Sequence, residues 1–153
     1  MQILCKLVYY CLLLFMLLIL SISDLRFRII PPKCIQIIFW LGVVHLLFDL
    51  SNWLDYIEGF LTVSVILFFV SFISRGHLIG GGDIKMMAVC GLVLGRELIW
   101  IAFIIGCMTG LVVHSIRMKI DNSDNHLPMG PYLSIGVIVA IVYSEIELTS
   151  AYC

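Results

Sequence analysis

Six apolar stretches, at about 7–22, 35–50, 57–73, 84–95, 98–116 and 131–146, take up most of a 153-residue chain. A chain so arranged cannot close a water-facing globule. With 62% hydrophobic and only 12% charged residues, too little polar surface is left to cover its outside. Its apolar surface belongs in lipid. A bilayer core of ~30 Å takes on the order of 20 helical residues. The second and fourth stretches are shorter than that, so they are expected to be extended by polar ends or half-buried inside a bundle. The pattern predicts an all-α integral membrane protein: one polytopic domain over residues 1–153 with about six transmembrane helices. The fourth and fifth stretches have an alternative reading as one broken element around Gly95-Arg96-Glu97.

Charge and cysteine usage narrow the function classes. A net charge of −1 offers nothing to a nucleic acid. The six cysteines, at positions 5, 11, 34, 90, 107 and 153, never form a C-x-x-C pair, and most lie within apolar runs. Zinc and a disulfide framework are therefore not expected, and no metal or cofactor is called for. The first stretch imitates a secretory leader, with Lys6 ahead of an apolar run and the small-x-small triplet Ser21-Ile22-Ser23 behind it. A single basic residue in front and equally apolar sequence downstream favour a first membrane helix instead.

Lysine and arginine set the orientation. Seven of the nine fall in three segments: 24–34 with Arg26, Arg28 and Lys33; 74–85 with Arg75 and Lys85; and 117–130 with Arg117 and Lys119. Only Lys6 and Arg96 lie elsewhere. The bias predicts that those three segments face the cytoplasm and that both termini lie outside.

This topology brings Asp24 and Asp83 to one face of the membrane. Two carboxylates close together in a partly dry site cannot both ionise easily, so one keeps a proton near neutral pH. They titrate as a unit. Such a pair can activate a water as base and protonate a leaving amine as acid, which suits peptide-bond hydrolysis. Gly80, Gly81 and Gly82 immediately precede Asp83. Lacking side chains, they allow a substrate backbone to approach. The plainer account is a tight turn, with Asp83 capping a helix that starts at Ile84.

Three segments read together go further. "SDLRFRIIPP" (23–32), "GGGDIKMMAVCGLVLG" (80–95) and "LPMGPYLSIG" (127–136) occur in this order. They resemble the type IV prepilin peptidases, membrane aspartic proteases of the G-x-G-D type. In that family an aspartate trailed by arginines and an Ile-Pro-Asn-like turn follows an early helix. A second aspartate lies in G-x-G-D-x-K, and a Pro-x-Gly-Pro element opens the last helix. The resemblance implies that Asp24 and Asp83 are the catalytic pair. It implies support from Gly80, Gly81, Gly82, Lys85, Pro31, Gly130 and Pro131. It also implies prepilin or pseudopilin substrates, cut at the cytoplasmic face of a bacterial inner membrane just before a hydrophobic helix. Pro32 stands where asparagine is usual. The chain lacks the paired cysteines of the longer members, so it resembles a short form from which N-methyltransferase activity is not expected. Oligomeric state is left open.

Other polar residues have simpler uses. His45 and Asp49 are spaced to face each other across a helical turn, but a place near the outer interface is the plainer reading. Glu58 and Glu97 read the same way, and His114 reads as interfacial. The segment "RMKIDNSDNH" (117–126) reads as a solvated loop whose aspartates can meet a basic leader. Pro128, Gly130 and Pro131 suit a helix start. Two rival functions remain: a small proton-coupled transporter using its paired aspartates, and a non-catalytic membrane factor for pilus or secretion assembly. No internal repeat supports the first, and nothing in the sequence singles out the second. The presenilin-like branch of the G-x-G-D proteases fits poorly, because its first aspartate follows a tyrosine whereas Asp24 follows Ser23.

Overall fold

Each apolar stretch becomes one helix, and most of the helices outrun the stretch that seeds them. The computed structural model describes residues 2–75, 79–120 and 128–151, and every regular element among them is helical. The order is α1 (Gln2–Phe27), α2 (Pro32–Phe48), α3 (Trp53–Ile73), α4 (Gly81–Leu94), α5 (Arg96–Ile120) and α6 (Gly130–Ala151), with a single 3-10 turn at Leu50–Asn52 between α2 and α3. Four are long and apolar enough to cross a membrane: Val8–Phe27, Leu50–Ile73, Arg96–Lys119 and Gly130–Glu147. Helix α5 carries Arg117 and Lys119 in its last turn, so the polar stretch after 116 is helical up to Ile120. The rest of that expected loop lies outside the described residues.

The two short elements have different explanations. Helix α2 has 17 residues and starts on the proline pair, with Pro31 as N-cap and Pro32 in the first turn. Proline suits that place, because its fixed φ matches the helix and its missing N–H would be unpaired there anyway. Helix α4 has 14 residues, about 21 Å at the usual rise. It does not need to reach across lipid by itself. Every residue from Met86 to Leu94 is buried, and α2, α3, α5 and α6 all pack against it. A helix apolar on all sides belongs at the centre of a bundle.

Small residues set how closely that centre is gripped. A Cβ added at Gly59 of α3 would lie 2.5 Å from the Gly91 carbonyl oxygen of α4. No side chain fits there, so these two backbones touch, as small-residue crossings in membranes allow. A Cβ added at Gly136 of α6 would likewise lie 2.8 Å from the Gly106 nitrogen of α5. Leu13, Leu17 and Leu20 of α1, Ile38, Val63, Met86, Met87 and Ile99 fill the core. The outward faces keep large apolar side chains, among them Phe15, Trp40, Phe69 and Leu111. Such a surface is stable only against lipid.

A single residue separates α4 from α5. Gly95, at φ 80°, makes the break. Left-handed backbone is readily open to glycine, so the two stretches form two helices rather than one broken element. Two arginines also adopt this backbone, Arg28 at φ 52° after α1 and Arg75 at φ 53° after α3. Helices commonly end on a residue of this conformation, though usually a glycine.

Candidate active site

The end of α1, the start of α4 and the start of α6 meet at one end of the bundle. Asp24 sits in the last turn of α1, where the helix dipole disfavours a negative charge. Its environment compensates. The Gly130 amide, at the N-terminus of α6, donates to Asp24 Oδ2 at 2.8 Å. One helix end thus answers another across 106 residues of sequence. Asp24 is only 6% exposed. The other two buried polar residues among the described ones, Ser64 and Ser134, donate to carbonyls of their own helices. Asp24 alone among the three reaches into another element.

Gly130 has to be a glycine for this contact. A Cβ there would stand 2.6 Å from Asp24 Oδ2 and 3.0 Å from its Cγ. The loop after α1 is tied down as well. Ser23 Oγ donates to the Ile29 carbonyl at 3.1 Å, and the Arg28 amide donates to the Asp24 carbonyl at 2.9 Å.

Asp83 enters from the opposite kind of helix end. Helix α4 begins at Gly81 with Gly80 as its N-cap, so two of the three glycines are already helical and the expected turn before Ile84 is not what forms. Asp83 lies in the first turn, where the dipole favours its charge. Its amide donates to the Gly80 carbonyl at 3.1 Å. Asp83 thus lies inside the first turn rather than capping a helix that starts at Ile84. Its Oδ1 is buried and meets no hydrogen-bond donor. Ser71 Oγ of α3 donates to the Ile79 carbonyl at 3.1 Å and fixes the approach to Gly80.

The two aspartates line one cavity of about 360 Å³, close enough for each charge to bear on the other. Gly80, Gly81, Gly82 and Lys85 line it too, with Arg28, Ile29, Ile30, Pro32 and Ile35 from the other wall. The glycines differ in role. Gly82 packs on Ile30, whose atoms would lie 3.1 Å from an added Cβ, whereas Gly81 has nothing within 4 Å and faces open space. Pro31 and Pro131 do not line the cavity. Pro31 caps α2, and Pro131 follows Gly130 in the first turn of α6. The sequence carries no mark of Ile30 and shows Pro32 only as a departure from the family's usual asparagine. It flagged Gly130 for the family element it sits in, with no hint that its amide would hold Asp24.

Polar residues at the other end have settled partners. Asp49 Oδ2 accepts from Tyr56 Oη at 3.0 Å and from Asn52 Nδ2 at 3.2 Å. These hold its carboxyl below the usual range, the Asn52 amide contributing most. The ring of His45 stacks on Tyr9, 5.5 Å between centroids, and meets Tyr56 edge-on at 5.1 Å. Glu58 pairs with Arg96 at 2.9 Å on the exposed surface, and Tyr10 Oη donates to Glu145 at 2.9 Å. A larger hollow of about 750 Å³ lies here, lined partly by Asp55, Glu97 and Glu147. It is wide open, and its two glutamates are exposed. Among the described residues no group of three His, Cys, Asp or Glu side chains stands together in a metal-binding arrangement.

The chain is similar to a prepilin leader peptidase/N-methyltransferase of Bacillus subtilis, with 29% identity over 134 residues, 85% of this chain and 53% of that protein. A protein of the same description from Pseudomonas aeruginosa is 24% identical over 143 residues, 89% of this chain and 49% of its own length. One from Stutzerimonas stutzeri is 25% identical over 143 residues, again 89% and 49%. The chain thus spans about half the length of the curated relatives it matches. No solved structure matches it. A family model described as the type IV leader peptidase family matches residues 11–115, a range that holds both aspartates and the whole of α4. This polytopic helical chain belongs to the type IV leader peptidase family.

Proposed function

We propose that this protein is an aspartic endopeptidase that removes the short basic leader from type IV prepilins or pilin-like precursors. Asp24 and Asp83 act together as the catalytic pair. One observation carries the reading: two carboxylates from different helix ends line a single cavity, one held by a backbone amide and one with a buried oxygen unpartnered. Both groups lie nearer to chemistry than to capping.

The pair shares one proton between two acidic groups in a partly dry site. The ionised carboxylate takes a proton from a water that attacks the scissile carbonyl carbon. The protonated one gives its proton to the leaving amine as the carbon–nitrogen bond breaks. The Gly130 amide keeps Asp24 in place through this cycle, and the open side of Gly81 admits the substrate backbone. The relatives' printed names include both leader cleavage and N-methylation. The proposal covers cleavage alone. With seven of nine basic residues in the three segments at this end, the site faces the cytoplasm of a bacterial inner membrane and both termini face out.

The test is cleavage of a prepilin by the full chain in vesicles, read as a mobility shift. Asp24→Asn and Asp83→Asn should each abolish turnover with insertion intact. The double variant should be no worse than either, because groups that act as a unit are not additive. Substantial turnover by either single variant would refute the aspartyl mechanism.

A further inference from the structure

The cavity of the two aspartates adjoins a second hollow, of about 590 Å³, between the last turns of α3 and the first turns of α4. Gly81 and Lys85 line both. Gly81 is exposed, with nothing within 4 Å of an added Cβ, so the way from one space to the other passes over bare backbone. The second hollow is walled by Phe68, Phe72 and Ile84. Phe68 and Phe72 lie four residues apart on one face of α3. They are 57% and 74% exposed, with rings stacked at a centroid distance of 6.4 Å. Two of the polar groups here are already in use: Ser71 donates its hydroxyl to the Ile79 carbonyl, and Arg75 has an interaction of its own within the protein. The chemistry of the hollow is that of its apolar wall.

We propose that this hollow holds the apolar part of the substrate on the far side of the scissile bond from the leader, with an apolar side chain seated against Phe68, Phe72 and Ile84. The inference rests on the proposed protease reading. Three observations select that occupant. A peptide with its scissile carbonyl at Asp24 and Asp83 has to leave the cavity, and the open backbone of Gly81 leads from there to the aromatic wall. The basic leader is the wrong half for this exit, because an apolar wall gives its charges no partner and Lys85 repels them. The wall also stands on a span suited to lipid, Leu50–Ile73, so an apolar segment embedded in the same bilayer meets it sideways. Aromatic side chains one turn apart are suited to anchoring such a segment. An acyl chain would cover the rings as it covers the rest of the outer face, with no reason to continue over Gly81. The hollow thereby fixes the direction in which the substrate crosses the two carboxylates.

Photocrosslinking of the full chain in phosphatidylglycerol vesicles tests the seat without any turnover. The probe is a synthetic peptide with a lysine-bearing leader and a leucine-rich helix, its scissile amide reduced to a methylene-amine so that it is not cut. With benzoylphenylalanine in place of Phe72, the crosslink should fall on the first turns of the peptide's apolar half. In place of Phe69, which is equally exposed but outside the hollow, it should fall on lipid. With the cleavable peptide, Phe72→Ala should raise KM several-fold with a smaller change in kcat, and Phe72→Leu should recover most of the loss. Phe69→Ala should leave both constants at the parental values. Crosslinks from position 72 to the leader, or to lipid alone, would overturn the proposal. So would equal effects of Phe72→Ala and Phe69→Ala on KM. The two readings fail separately. Cleavage without a peptide crosslink from position 72 would strike the seat and leave the protease; a crosslink in a chain that cuts nothing would keep the seat and refute the protease.

Discussion

The two ends of this bundle treat their acidic residues differently. At the end where Asp49, Glu58 and Glu145 lie, each carboxylate meets a side chain: Tyr56 and Asn52, Arg96, and Tyr10. These pairs are local or exposed, and they fasten neighbouring helices. At the other end, Asp24 rests on the Gly130 amide and Asp83 stands beside three glycines, with an oxygen left over inside a cavity. A carboxylate matched by a side chain serves the fold. One held from behind by the backbone keeps a face free for a reactant.

The contrast can be broken most sharply at Gly130. Gly130→Ala would push a methyl group against Asp24 and cost it the amide contact. A hydrogen bond to a charged group is worth about 1.5–3 kcal/mol, so prepilin cleavage should fall roughly 10- to 100-fold while the helix content stays put. Near-normal kcat in this variant would mean that the amide does not position Asp24.

A smaller effect separates two adjacent glycines. Gly82→Val must displace Ile30 and should lower both the melting temperature and cleavage. Gly81→Leu meets no neighbour, so its melting temperature should match the parent. Its side chain would instead protrude into the cavity and raise KM for the prepilin. An unchanged KM would show that the substrate does not pass over Gly81.

Least should happen at the far end. Tyr56→Phe should cost about 1 kcal/mol or less in stability and leave cleavage at the parental rate. The sign of its pH dependence is fixed by Asp49, whose folded carboxyl is held below its usual range. The stabilisation is present above the unfolded carboxylate range and is lost as the pH falls through the lower folded value. Melting curves of parent and variant should therefore converge only in acid. A difference that grew towards low pH would reverse this assignment.

How much of this was legible beforehand depended on the distance over which each feature acts. Helix count followed from apolar runs, because a helix in lipid satisfies its own backbone and needs only length and hydrophobicity. Helix ends were harder to place. Arg26 and Lys119 extend α1 and α5 beyond their apolar runs, since a polar residue at a membrane surface neither favours nor forbids another turn. The shortness of α4 was visible, and its reason, burial on every side, emerges only from the packing of four neighbours. The three glycines looked like a turn, and two of them instead open a helix. Asp24 and Asp83 could be paired through the order of three motifs. The Gly130 amide could not be assigned to Asp24, because no local periodicity links residues 106 positions apart.

That separation has a consequence for how the protein is made. A nascent chain that has emerged as far as α5 already contains both carboxylates and the glycines between them. It does not yet contain the amide that holds Asp24, which arrives with the first turn of the last helix. The contact that fixes Asp24 therefore forms only once α6 has joined α1.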